Sequence, residues 1–411
     1  MLKNTVALLL TFATTIVYGH PNLQPSCLDH LEAHYDRCGS RGSCFKLSNC
    51  NLTDADMPIL IKKMQTFPPH IGAIDLSHNQ LTSRGIEILF AKSTAYLKEL
   101  DISYNFVNNK GAIVLAKATY SLENLIANHN KIGNEGAAVL FNTNNLKSLD
   151  LAYNAFDGTG IPDFSGYHLN RIDVSGNNLT ADDLLKVAND LQGANYKDAI
   201  TLIARDMNLG DGAASALGDY YATKNIDILT IDLSNNNIMD YGAAKLSQVN
   251  AEYIYLVLNN NNISNKGVYN LLKNKYIVGL NLANNKIDDQ AAIAIGKAQF
   301  FFQLDLSNNN LTLDGMKSMF KYLSVKKLLL NDINFGDGIA KVIYDFKQSN
   351  DNNLIALGLR NTNLHDAAAY HLAKADWDYL DISYNHISDE ALSVFGNRSG
   401  TIITEGNTPS T

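Results

Sequence analysis

The sequence predicts an α/β solenoid: an arc with a concave parallel β-sheet inside and helices on its convex side. Two observations carry that expectation. A pattern apolar-x-apolar-x-x-Asn-x-apolar recurs fourteen times, most clearly in Ile74–Leu81, Ile172–Leu179, Ile231–Ile238 and Leu304–Leu311. Its Asn column runs Asn79, Asn105, Asn130, Asn154, Asn177, Asn236, Asn261, Asn285, Asn309 and Asn385, in steps of 23 to 30 residues, and Cys50, Met207, Ile333 and Thr362 fill the same column in the other copies. A period in that range marks a stacked array, and 411 residues exceed what one compact core usually holds.

The first residues have the layout of a secretory leader. Lys3 supplies the positive start, Val6–Val17 is an uncharged, mostly apolar run, and Val17 and Gly19 are small enough to flank a cleavage point. The run is shorter than the roughly 20 apolar residues that span a bilayer. Residues 1–19 are therefore expected to be a signal peptide, with no membrane anchor. Residues 20–44 then form a cysteine-containing cap, 45–395 the repeats, and 396–411 a degraded capping strand and tail.

Cys27, Cys38, Cys44 and Cys50 all lie within 24 residues of one another. An even, clustered set in an exported chain suggests two disulfides. Ser26 reads as the N-cap of a helix over residues 27–37, which would hold Cys27 and Cys38 roughly 16 Å apart, too far to bridge. Cys44 and Cys50 would be separated along an extended strand. Two connectivities stay open: 27–44 with 38–50, or 27–50 with 38–44.

Within each repeat the apolar-x-apolar part is a short strand with both apolar side chains inward. A further apolar position three residues earlier (Ile71, Leu97, Leu122, Leu146, Leu169, Ile228, Ile277, Phe301, Val325, Leu354, Trp377) is also expected inside. The Asn amide turns inward too, where it must be fully hydrogen-bonded, so Met207, Ile333 and Thr362 should be local irregularities. N-cap residues follow the motif, among them Thr82, Asn108, Thr180, Ser264, Asp288, Thr312 and Ser388, and helical apolar spacing comes next. Residues 158–166 contain too much Gly and Pro for a helix and should be a loop. Residues 402–407 repeat the motif once more in degraded form, a strand that closes the stack.

The LDLS-x-N-x-L strands, the G-A/I-x-x-L-A helices and Cys50 in the Asn column together resemble the ribonuclease-inhibitor-like subfamily of leucine-rich repeat proteins over about residues 45–395. The repeats are shorter than those of ribonuclease inhibitor and closer to the Ran GTPase-activating and bacterial secreted members. The resemblance implies a horseshoe that binds a protein partner on its inner face.

Two columns could form that face. Asp75, Asp101, Asp150, Asp173, Asp232, Asp305 and Asp381 stand between the inward strand residues, which would suit a basic partner, although Asp also belongs to the family consensus there. Just before the ladder Asn, the N-terminal half carries His78, Tyr104, His129 and Tyr153 in successive repeats, whereas the C-terminal half carries mainly Asn. Aromatic and imidazole side chains make good interface residues. His78, Tyr104, His129 and Tyr153, with Asp75, Asp101, Asp150 and Asp173 beside them, are the candidate partner-binding strip.

Other chemistry finds little footing. Net charge is −8 without a Lys/Arg cluster, which opposes nucleic-acid or anionic-membrane binding. His30 and His34 resemble a zincin pair with the Glu misplaced, so no metal or cofactor is expected. Asn51, Asn178, Asn262, Asn310 and Asn397 head glycosylation sequons, four of which arise mechanically from the ladder and the helix cap. No P-loop, nucleophile elbow or other nucleophile–base arrangement appears. The leading expectation is an exported, monomeric, non-catalytic scaffold that binds a protein, a host protein if the source is bacterial. The alternatives are a GTPase-activating protein and a structural cell-envelope protein.

Overall fold

The protein is described by a computed structural model covering residues 27–37, 43–67, 71–91, 97–118, 121–162, 169–191, 199–298, 300–349, 354–396 and 398–408. The expected leader and Cys38 lie outside the described residues. Sixteen strands form one open sheet in chain order. Tyr35–Arg37 pairs antiparallel with Ser43–Lys46, and from there each strand pairs parallel with the next, from Ile71–Asp75 to Thr401–Ile403. Helices return the chain along the other side, giving a horseshoe-like α/β arc.

The cap departs from expectation. In place of a helix over residues 27–37, a single 3-10 turn, Leu31–His34, leads into the strand Tyr35–Arg37. Strand pairing wins because it satisfies backbone groups and sets Tyr35 against Phe45 and Phe67, with centroids 5.5 and 4.9 Å away. Leu28 and Leu31 cover the core beneath. Cys27 and Cys50 form a disulfide, which selects one of the two open connectivities; Cys44 is also disulfide-bonded. The link closes a loop of about two dozen residues and ties the cap to the first turn of the array, worth about 3 kcal/mol. Cys27, His34 and Cys50 place ligand atoms within 4.8 Å of one another, but both sulfurs are committed to the disulfide.

Inside the arc the strand pairs Ile74/Leu76, Leu100/Ile102, Leu149/Leu151 and Leu304/Leu306 are all but fully buried. The earlier apolar column is buried as well from Leu97 to Leu169 and from Ile277 to Trp377. Ile71 and Ile228 are the exceptions, only half-buried. In the second case the strand is seven residues long, and Ile226 at its start and Leu229, in phase with Ile231 and Leu233, take the inner places.

The ladder amides are used completely. Asn79 Nδ2 donates to Leu47 O of the preceding turn and to Leu76 O of its own, at 2.8 and 2.9 Å, while Oδ1 accepts from Leu52 N at 2.8 Å. The same set recurs at Asn105 and Asn385, among others. Thr362 Oγ1 donates locally to Leu359 O at 2.7 Å and, at 3.5 Å, to Oδ1 of the next ladder residue, Asn385. The turns at Cys50, Met207 and Thr362 acquire an additional left-handed residue, Asn51, Asn208 and Asn363, a feature shared with Asn237. Because Asn237 follows a regular ladder Asn and the turn at Ile333 lacks the feature, the additional left-handed residue does not by itself mark the expected irregular turns.

A second polar ladder, not foreseen, runs along the helix starts. A first-turn Asp or Asn reaches forward to the backbone N–H that opens the next repeat's helix: Asp54 to Thr82, Asp240 to Ser264, Asp289 to Thr312 (2.8 Å each) and Asp366 to Ser388 (2.7 Å). Each carboxylate thereby satisfies an orphan donor of its neighbour and favours the positive helix end. Among the described residues of the expected loop, 158–162, the chain makes a 3-10 turn at Gly158–Gly160. At the far end Asn407 continues the first ladder, donating to Ile382 O at 3.1 Å and accepting from Asn385 N at 3.2 Å.

Candidate functional site

Seven of the described concave strands end on an Asp, and the carboxylate has a local task. Asp75 Oδ1 accepts from Ser77 N and Ser77 Oγ at 2.9 and 2.7 Å; Asp101 and Asp173 do the same with Ser103 and Ser175. Asp150 Oδ1 accepts from Ala152 N at 3.0 Å, and its Oδ2 accepts from Asn128 Nδ2 at 2.8 Å. These bonds brace the turn after the strand, so the column has a structural role whatever it binds. Burial outweighs the bonds electrostatically. It pushes the Asp101 carboxyl up to about 6, and burial with the neighbouring Asp150 does the same for Asp173; Asp150 is also raised, chiefly by burial.

That shift gives a stability prediction. The folded chain holds the Asp101 and Asp173 protons to higher pH than an unfolded chain. Their contribution is therefore fully present below about pH 4 and is lost as pH rises through about 6. Asp101→Asn combined with Asp173→Asn keeps an acceptor for each serine and removes the titration. Urea unfolding at pH 4.5 and 7.5 should show the variant gaining about 1–2 kcal/mol per site relative to the parent at the higher pH only. An equal difference at both pH values would refute this account.

Three residues after each Asp the backbone turns left-handed. The column His78, Tyr104, His129, Tyr153, Gly176, Asp206, Asn235, Asn260, Asn284, Asn308, Asp332, Asn361, Tyr384 and Gly406 has φ between +50° and +70° throughout. Gly, Asn and Asp tolerate this conformation, whereas other L-residues are strained by about 1–2 kcal/mol. The Asn run in the C-terminal half is thereby explained by backbone geometry. The His and Tyr run is the anomaly.

The parallel strands hold these four side chains at a spacing that lets their rings stack. His78 lies on Tyr104 with centroids 4.1 Å apart, Tyr104 on His129 at 4.0 Å and His129 on Tyr153 at 4.4 Å, with interplanar angles of 12°, 11° and 27°. Tyr104 and Tyr153 are exposed, and Phe106 adds a further exposed ring beside Tyr104. The stack ends where Gly176 leaves space: a Cβ there would sit 2.2 Å from the Tyr153 ring. Tyr153 leans across that gap and its hydroxyl donates to Asp206. Burial and the Asp206 carboxylate hold that hydroxyl protonated far above its ordinary range. Asp206 also accepts from the Asn235 amide, joining the ring stack to an amide row in which Asn308 donates to Asn284 at 3.0 Å.

The eight candidate residues therefore share one surface, with the rings on the rim and the carboxylates beside them on the sheet. His129 Nδ1 lies 3.1 Å from Asn128 Oδ1, which can only accept, so that nitrogen carries the proton. Burial, aided by His78, lowers the His129 basicity. Sequence reasoning missed Gly176, Asp206 and Arg205, whose Nε donates to Asp232 at 2.7 Å. Counting from Met207, as was done from the Asn residues, would have placed Asp206 in the ring column. A shallow depression lined by Asn154, Phe156, Asp157, Gly176 and Asn178 adjoins the end of the stack. Near the C-terminus Arg360 lies over the Tyr384 ring at 4.4 Å, a smaller aromatic spot.

Among the described residues no helix is long and apolar enough to cross a membrane. A search of curated proteins gave no match. Among solved structures, the chain is similar to one in the crystal structure of the Rad7 and Elc1 complex in yeast, at 13% identity over 87% of this chain and 85% of that one, with a TM-score of 0.51. It also aligns with the plant peptide hormone receptor RGFR1 in complex with RGF2 (15% identity, 82% and 56% coverage, TM-score 0.38) and with the internalin InlF of Listeria monocytogenes (19%, 80% and 86%, 0.43). Family models for the leucine-rich repeat match residues 95–116, 273–296, 303–320 and 379–396, and residues 145–167. With those matches set on a sheet whose strands alternate with helices in chain order, the chain is a leucine-rich repeat protein.

Proposed function

We propose that this protein is an exported, non-catalytic scaffold of the ribonuclease-inhibitor-like type that grips a polypeptide partner on the N-terminal half of its concave face. Leucine-rich repeats are typical protein-binding scaffolds. The observation that carries the reading is the stack His78–Tyr104–His129–Tyr153: exposed rings in a column where the backbone favours Asn or Gly. Asn occupies the same backbone position in the C-terminal half, so the fold does not require rings there, and strain of this kind collects at functional sites. Rigid rings bury much area at little entropic cost on binding. The acidic column beside them favours a basic segment of the partner. Export is supported by the leader-like residues 1–19 and the Cys27–Cys50 disulfide.

A photo-crosslinking side chain tests the location. Placed at Tyr104 it should form an adduct with the partner, and placed at Tyr322, exposed beyond the helix Leu313–Phe320, it should not. Adducts at Tyr322 but none at Tyr104 would rule out the concave site.

A further inference from the structure

Resting on that docking reading, we propose that the strip is gated by pH: it holds a Lys- or Arg-bearing segment near neutrality and releases it on acidification, because imidazoles and carboxylates of one surface gain protons together. The geometry supplies the coupling. Imidazole and phenol alternate along the stack at 4.0–4.4 Å, so each charged imidazole would meet a tyrosine face. Cation–π attraction then keeps the stack intact as it charges. Asn128 spans from the rings to the carboxylates, its Nδ2 on Asp150 and its Oδ1 on His129. A proton on His129 and the charge on Asp150 are thus joined through one amide.

The surrounding groups fix the sign. On the preceding side Lys46 is paired with Asp36 at 2.8 Å. The strands beneath present Asp75, Glu99, Asp101, Asp150, Arg171 and Asp173. Beyond Tyr153 stand Arg205, paired with Asp232, and Asp206, which binds the Tyr153 hydroxyl; Lys131 covers Phe106. Burial raises Asp101 and Asp173 to about 6 and lowers the basicity of His129, so these carboxylates take up protons well above the ordinary carboxylate range and the His129 imidazole shifts toward them. The strip moves from acidic toward basic over a narrow range, and like charges then repel a cationic segment.

Fluorescent decalysine, a probe of the charge alone, tests this with the full chain at pH 7.5 and 5.5. Its Kd should rise roughly tenfold or more on acidification. In the combined variant Asp101→Asn, Asp173→Asn, His78→Gln, His129→Gln, the ratio of the two values should collapse to within about twofold. The same ratio in variant and parent, or none in the parent, would overturn the gate. His129→Gln alone, with circular dichroism as the folding check, keeps the test available if the combined variant misfolds; it should lessen the ratio. If decalysine binds at neither pH, the gate is overturned together with the basic-partner reading, while adducts at Tyr104 would still keep the concave site. Where decalysine binds, imidazole and carboxyl NMR titration checks the cause: protonation of His129, Asp101 and Asp173 within the interval of release supports the gate, and transitions outside it overturn it.

Discussion

Asn236→Leu is expected to lower unfolding stability by about 3–4 kcal/mol. The side chain is fully buried. Its Nδ2 donates to Ala204 O at 2.6 Å, and its Oδ1 accepts from Met207 N and Leu209 N at 3.1 and 3.3 Å. Leucine fills a similar volume, so packing changes little. With the further bond to Ser234 O at 3.1 Å, four backbone groups lose their partners, at about 1–3 kcal/mol for each buried one before relaxation. The position is also sensitive because Met207 brings no amide of its own to the column. Asn310→Ala, one residue past the ladder and exposed, should stay within about 0.5 kcal/mol of the parent. Urea unfolding of the two variants checks this. A loss under about 1 kcal/mol at Asn236 would mean that water replaces the amide and that the ladder is not the source of cohesion.

The second large effect concerns binding without stability. Tyr104→Asn combined with Tyr153→Asn inserts the residue that the same left-handed column carries at Asn235, Asn260, Asn284 and Asn308. Asparagine relieves about 1 kcal/mol of backbone strain per site, and the lost ring contacts withdraw a similar amount. Thermal unfolding should therefore be nearly unchanged. Affinity for the partner should fall about 100-fold, the weight of two central aromatic contacts. Binding within about twofold of the parent would remove the stack from the interface. Alanine is the poorer choice, because it deletes the ring yet stays strained in the left-handed region.

Counting from the Asn column placed nearly every strand, the inward and concave positions and the break in helical pattern directly after Asp157, where a 3-10 turn stands. It worked because parallel pairing in register converts sequence spacing directly into spatial columns. The cap was misread because its few residues satisfy a helix pattern locally, while the pairing of Tyr35–Arg37 with Ser43–Lys46 comes from outside the segment. The helix-start ladder escaped notice because Asp and Asn near an N-terminus already have a local explanation as helix-favouring residues. At the candidate site the alternation of His and Tyr was legible; the stacking was not, since it depends on the left-handed φ shared by His78, Tyr104, His129 and Tyr153. Gly176 carried no signal in itself. Its meaning is the Tyr153 ring that occupies its place.

The shared left-handed column also makes the rim a ruler. Each repeat advances the row by one side chain, about 4 Å where rings meet, and the backbone at that position is already set whichever residue it carries. A ring row can therefore be lengthened or shortened by exchange at Asn235, Asn260, Asn284 and Asn308 without redesigning the fold beneath. At Gly176 the count is suspended, since Tyr153 measures two steps at once to reach Asp206. The length of partner that this face can grade is thus written in whole repeats.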